Sequence, residues 1–484
     1  MTLSRAIQST MVLALLLSLS ASIQAALGFR TVEAADTEWP QVQRDQQRTG
    51  HSTETLGTGF AVAWTHPFQP ERVYPQVQAI VHRSTVFVGT ESGNIYALDA
   101  RTGSERWIFK AGGPILGSVA ARNGTVFFGA MDGAVYALET PSGSLAWKRQ
   151  LSRRGFSTAP VLADDLVMLG SRDGDFFALS PDTGDVIWSY RAGAPILQTA
   201  AADAGRVFFG AMDMHVYALQ TRDGTLAWKS ERLPGTALKD YWPVVYRGKV
   251  LVIPTAGTWD PGISPAFPFG WHDDWNWISR NGPIVATGNL VQLADVMYAQ
   301  QAVMDRYRSD PTAFTKSLFI LDEADGNESV VVPHFSAQTM HGATSPPAID
   351  RDGMLVVPVM FIRSGWGRLD LNSQRIVDIL FDGKDWNGRP LAAGQLPAGA
   401  GNSDENLNVS TSANVVLGFH TQEMNANYTG AFDQNARRWI PISRGWTNGE
   451  MWNNTQGGGG NPASISDGMN YHISTHELIA RTAQ

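Results

Sequence analysis

Four copies of one phrase, each with a Gly-terminated apolar run and a closing Trp, predict an all-β chain folded as an eight-bladed β-propeller of four-stranded antiparallel blades. Seven blades is the alternative. The phrase reads VFVGTESGNIYALDARTGSERW from Val86 to Trp107 and VFFGAMDGAVYALETPSGSLAW from Val126 to Trp147. It returns as VMLGSRDGDFFALSPDTGDVIW from Val167 to Trp188 and as VFFGAMDMHVYALQTRDGTLAW from Val207 to Trp228. The closing tryptophans are 40, 41 and 40 residues apart. A period in this range marks a unit that cannot bury its faces alone and must stack against copies of itself. The 48 glycines and 16 tryptophans suit many short strands joined by tight turns.

Within a copy the elements follow in order. The apolar run ending at Gly89, Gly129, Gly170 or Gly210 is one strand, and after a polar turn a run such as Ile95-Tyr96-Ala97-Leu98 is the next. A turn at Thr102-Gly103 leads to the strand carrying Trp107, and Gln78 to Val81 supplies the innermost strand. Asp132 and Asp173 recur inside the phrase as turn formers. The closing tryptophans are read as packing between blades.

Beyond Trp228 the period blurs. Blade five takes its second strand from Lys249 to Pro254 and its third from Ser317 to Asp322, with an insertion, 255–315, between them. Apolar residues at Leu290, Leu293, Met297 and Met304 predict a helix from Leu290 to about Tyr307, so the insertion is partly helical. Met354 to Pro358 and Gly367 to Leu371 give blade six; Val415 to Phe419, Gly430 to Asp433 and Trp439 give blade seven. Asn470 to Ser474 and Glu477 to Arg481 give inner strands of blade eight, whose missing strand is Ala61 to His66, before the first full copy. Pairing the termini in this way closes the ring and removes free sheet edges.

The stretch from Ala97 to Trp107 reads Ala-x-Asp-x-x-Thr-Gly-x-x-x-Trp, and later copies keep the Ala, Gly and Trp while the acidic position becomes Glu139, Ser180 or Gln220. This pattern resembles the tryptophan-docking motif of the pyrroloquinoline-quinone (PQQ) repeat propellers. The segment from Trp39-Pro40 through Asp45 to Thr49-Gly50 is similar to the lead into the first blade of such proteins. The family holds non-catalytic binding propellers, such as the outer-membrane assembly propeller, and PQQ-dependent dehydrogenases. In the dehydrogenases the resemblance implies a quinone over the channel beside calcium, an aspartate base and, in many, a ring of two adjacent cysteines. The chain has no Cys, and the family's Glu, Asn and Asp calcium ligands find no matching positions. PQQ with calcium is therefore disfavoured as a cofactor.

Composition narrows the partners. A formal net charge of −8 without clustered Lys and Arg argues against a nucleic-acid surface. Arg5, the apolar run Met11 to Leu19 and Ile23-Gln24-Ala25 read as a signal peptide over 1–25, with Val32-Glu33-Ala34 as a later cut. Removal leaves no transmembrane segment. The expected product is a secreted or periplasmic monomer, a lead-in over 36–60 and a propeller over 61–484, without the lipid-acceptor cysteine of an anchored protein.

Candidate site residues gather in the irregular half, where six of the 10 histidines follow residue 270. Lys239, Asp240, Tyr241 and Trp242 stand before blade five where earlier blades have Gly117 or Ala159. Asp240, Tyr241 and His341 are the catalytic candidates, since a carboxylate and a histidine on one rim can do acid–base work. Trp242, Trp259, His272, His420, Glu423 and Asn425 are candidate ligand contacts, because aromatics with polar neighbours line clefts for saccharides and flat ligands. His272-Asp273-Asp274 is a weak metal candidate. Three functions stay open: a scaffold binding an envelope or extracellular protein or a saccharide, an enzyme acting on a saccharide or other small substrate at the channel mouth, and a PQQ dehydrogenase.

Overall fold

The computed structural model describes residues 37–74, 77–233, 237–239, 241–254, 290–292, 318–330, 346–359, 365–373, 375–380, 390, 395–397, 408–423, 426–444, 462–473 and 476–483. They form eight four-stranded antiparallel sheets, each built in simple meander order except the last. Blades one to four run Ile80–Lys110, Ala120–Gln150, Val161–Arg191 and Ala201–Lys229. Blade five joins Val244–Tyr246 and Lys249–Val252 to Phe319–Asp322 and Glu328–Val330 across the insertion. Blades six and seven span Ala348–Leu380 and Ser410–Arg444. Blade eight takes three strands from Ser464–Ala483 and its outermost from Phe60–Pro67, so the termini close the ring as the sequence predicts.

The docking motif acquires a geometric reason. The motif Ala lies opposite the closing Trp in the outer strand pair, at Ala97–Trp107, Ala137–Trp147, Ala178–Trp188 and Ala218–Trp228. Each indole then reaches the next blade, where Nε1 donates to a carbonyl: Trp107 to Thr140, Trp147 to Pro181, Trp188 to Thr221 and Trp228 to Glu323, at 2.6–2.8 Å. Trp64 does the same across the closure, to Ala100 at 3.0 Å. The motif Gly of the receiving blade lies under the indole with positive φ; at Gly143 (φ 69°) a Cβ would stand 2.6 Å from the Trp107 ring. Only Gly satisfies both conditions.

The predicted helix from Leu290 is not what its first residues form. Leu290–Gln292 is a strand, paired antiparallel with Gln395–Pro397. A partner a hundred residues away overrides local periodicity there; the rest of that stretch lies outside the described residues. None of the described residues is helical, and among them no helix is long and apolar enough to cross a membrane.

The lead-in is the least expected element. Residues 38–54 lie along the inner edge of the ring, and each blade donates a backbone N–H to them. Val81, Ala121, Ala202, Val245, Ile349 and Thr411 donate to the carbonyls of Trp39, Pro40, Gln46, Gln47, Thr49 and Gly50. Leu162 donates to Gln41 Oε1 and Gly468 to Glu54 Oε2, so all eight blades are touched at 2.7–3.1 Å. Arg48, 0 % exposed, binds the carbonyls of Val42, Pro160 and Ala200 at 2.8–3.2 Å. These contacts satisfy buried backbone groups that the blades' own pairing leaves over.

Candidate functional site

The loops that lead into the innermost strands meet around the channel axis. The loop before blade two approaches the loop before blade three so closely that a Cβ on Gly117 would stand 2.7 Å from the Thr158 backbone. Ala159 N donates to Thr199 Oγ1 at 3.0 Å and Thr199 N to the Tyr241 carbonyl at 2.8 Å, lacing blades three, four and five together. Leu197 and Lys239 add a parallel bridge. A site built on such mutually bonded loops is held in place by the strands beneath it.

Between these loops lies a cavity of about 250 Å³. Gly117, Ser118, Ser157, Ala159, Leu197, Thr199, Lys239 and Trp242 form its walls, and Val42 of the lead-in lines it from the channel side. Arg172, from the turn between the second and third strands of blade three, and Tyr74 complete the lining. The positions singled out as small in early blades, Gly117 and Ala159, therefore share one cavity with Lys239 and Trp242.

The chemistry of this cavity is that of a donor set. Arg172 and Lys239 bring two positive charges, with Arg172 Nη1 3.5 Å from Ser157 Oγ. Trp242 is 2 % exposed, and its indole Nε1 is buried with no hydrogen-bond partner among the described residues. An unsatisfied buried donor costs roughly 1–3 kcal/mol, which an acceptor supplied by a ligand would recover. Hydroxyls of Ser118, Ser157 and Thr199 also belong to the lining, although Ser118 Oγ already accepts from Gln78 N at 2.8 Å.

The other sequence candidates distribute as follows. Tyr241 is buried at 2 % in the core with Trp242, Ile253 and Leu318, its ring edge-on to Trp242 at 6.0 Å, and it is not among the cavity residues. His420 and Glu423 belong to the long hairpin of blade seven, opposite Tyr428 and Ala426. Asp240, Trp259, His272, Asp273, Asp274, His341 and Asn425 lie outside the described residues. Asp132 is the turn former expected: it accepts from Ala134 N at 3.1 Å, and also from Tyr136 Oη and Lys148 Nζ. Burial raises its pKa, but these donors together hold it below the usual carboxylate value. Asp173 instead caps the loop that leads into its own blade, through Ser152 and the backbone of Arg153.

Sequence reasoning missed Arg172. The signal was present: the four copies carry Glu91, Met131, Arg172 and Met212 at that position, and only the third is basic. A departure from the repeat at a turn beside the channel marks a residue that packing does not explain.

The cavity does not fit a quinone–calcium pair. Calcium takes six to eight oxygen ligands, several of them carboxylates. The described lining offers no carboxylate, and it places two cations where a divalent ion would be repelled.

Comparison with known proteins agrees with this geometry at the level of fold. The family described as outer membrane protein assembly factor BamB matches residues 57–155 and 131–259. No curated protein sequence matches the chain. Among solved structures, BamB from Moraxella catarrhalis is 14 % identical, with a TM-score of 0.52 over 88 % of this chain and 100 % of that one. The quinohemoprotein alcohol dehydrogenase from Comamonas testosteroni is 12 % identical, with a TM-score of 0.55 over 93 % and 81 %. A europium-containing methanol dehydrogenase is 11 % identical, with a TM-score of 0.57 over 93 % and 99 %. An assembly factor and two dehydrogenases thus resemble this chain about equally, and such likeness establishes fold rather than activity.

Proposed function

We propose that this chain, an eight-bladed β-propeller matched by the PQQ-repeat family model over residues 57–259, is an exported binding scaffold. Its channel mouth receives an acidic or acceptor-rich group of an envelope or extracellular protein. The observation that carries this reading is the lining of the mouth cavity of about 250 Å³, where Arg172 and Lys239 stand with Trp242, whose indole N–H has no hydrogen-bond partner among the described residues. Similarity to BamB supports the protein-binding class, and the apolar N-terminal run supports export.

Charge reversal tests the proposal. With the chain immobilised and envelope extract passed over it, the Arg172→Glu, Lys239→Glu double variant is expected to lose at least tenfold of its specific partner retention. Both side chains are half-buried, so melting of the double variant is followed alongside to separate loss of binding from loss of fold. Unchanged retention would reject the mouth as the binding element. Dye reduction on adding PQQ and calcium would instead favour the dehydrogenase reading.

A further inference from the structure

In every blade the innermost strand pairs on one side only, which leaves an edge facing the channel. Residues 38–54 cover that edge without entering any of the eight four-stranded sheets. Recognition is largely of backbone, and two large, fully buried side chains anchor it, Trp39 and Arg48. Trp and Arg are the residue types that dominate the energetics of interfaces. The Arg48 guanidinium reaches carbonyls of blades three and four at once. The segment continues into the ring through Gly57-Thr58-Gly59, ahead of the strand that begins at Phe60. Such an arrangement has the character of a peptide in a groove, because each contact is made to a ring whose own sheets and Trp docking do not include the segment.

We propose that the inner ring is a preformed peptide-binding site, that its ligand is the polar, turn-rich segment supplied in cis by residues 38–54, and that this segment exchanges while the ring stays folded. The proposal stands apart from the reading of the mouth, since the ring's bonds to the lead-in do not involve Arg172 or Lys239. Its consequence for the mouth is geometric: Val42, carried by the exchanging segment, lines the cavity.

The full chain, carrying a specific protease site within residues 57–59, tests this after folding. Once cut, it is expected to retain the segment through gel filtration and to melt in one cooperative transition. It should then take up a fluorescein-labelled peptide of residues 37–56, read by anisotropy. Peptides carrying Arg48→Ala or Trp39→Ala should bind at least tenfold more weakly. Equal binding of wild-type and Arg48→Ala peptides would overturn the proposal. So would loss of the segment with unchanged ring melting, a retained segment that never exchanges, or a ring that unfolds as soon as the chain is cut.

Discussion

At Gly143, φ is 69° and the Trp107 ring fills the space a side chain would need. An L-residue there meets the left-handed penalty of roughly 1–2 kcal/mol and displaces an indole that bridges two blades. Gly143→Ala should therefore lower stability by about 2–4 kcal/mol in chemical denaturation; a loss below a few tenths would mean that the indole yields freely. His472 is the second informative residue. It is buried in blade eight, and burial first, then the charge of Arg481, pushes its pKa down to about 3. In the unfolded chain it protonates near the ordinary value of 6.5. Between those values the unfolded state binds the extra proton, so stability is fully present above about pH 6.5 and declines as pH falls toward 3. Melting temperatures of wild type and His472→Gln at pH 7.5 and 4.5 check this: the variant should decline less, and parallel declines would contradict it. The histidine count that drew attention to the second half thus included at least one that is structural.

Blades were legible in the sequence because one short phrase states every constraint they obey: a Gly that admits an indole, an Ala that faces it and a turn before the next strand. Closure was legible through Trp64, the one copy of the closing Trp that lies ahead of its blade. Trp64 docks on blade one with the same hydrogen bond and the same Gly contact, at Gly103, as the other four. Trp64→Ala is therefore expected to cost about 3–5 kcal/mol, within the range for large aromatic truncations. Hydrogen exchange should localise the loss to Phe60–Pro67 and its partner Glu477–Ala483. Uniform loss around the ring would contradict closure through this strand. The place of the insertion was legible, but the strand within it was not. Leu290–Gln292 carries helical spacing yet pairs as a strand with Gln395–Pro397, and no local pattern encodes a partner so far along the chain.

Across the whole molecule, the regular and irregular halves meet at one cavity. Packing accounts for the tryptophans, glycines and turn aspartates of blades one to four, and the residue it leaves unexplained, Arg172, lines the same cavity as Lys239 and Trp242 of blade five. The sequence marked Lys239 and Trp242 because the entry to blade five carries them where earlier blades have small or apolar residues such as Gly117 or Ala159. It did not mark the convergence, which depends on ring geometry, nor the lead-in's circuit of the inner strands, which is written in backbone hydrogen bonds rather than side chains. The chain has no native cysteine, so Ser157→Cys creates a single attachment point beside Arg172. The most direct test places a photo-crosslinker there, in the full chain, with the native charges and with Arg172→Glu, Lys239→Glu. A discrete protein adduct that appears with the native charges and disappears on reversal is the result predicted; an adduct pattern indifferent to those charges would contradict a binding site at the channel mouth.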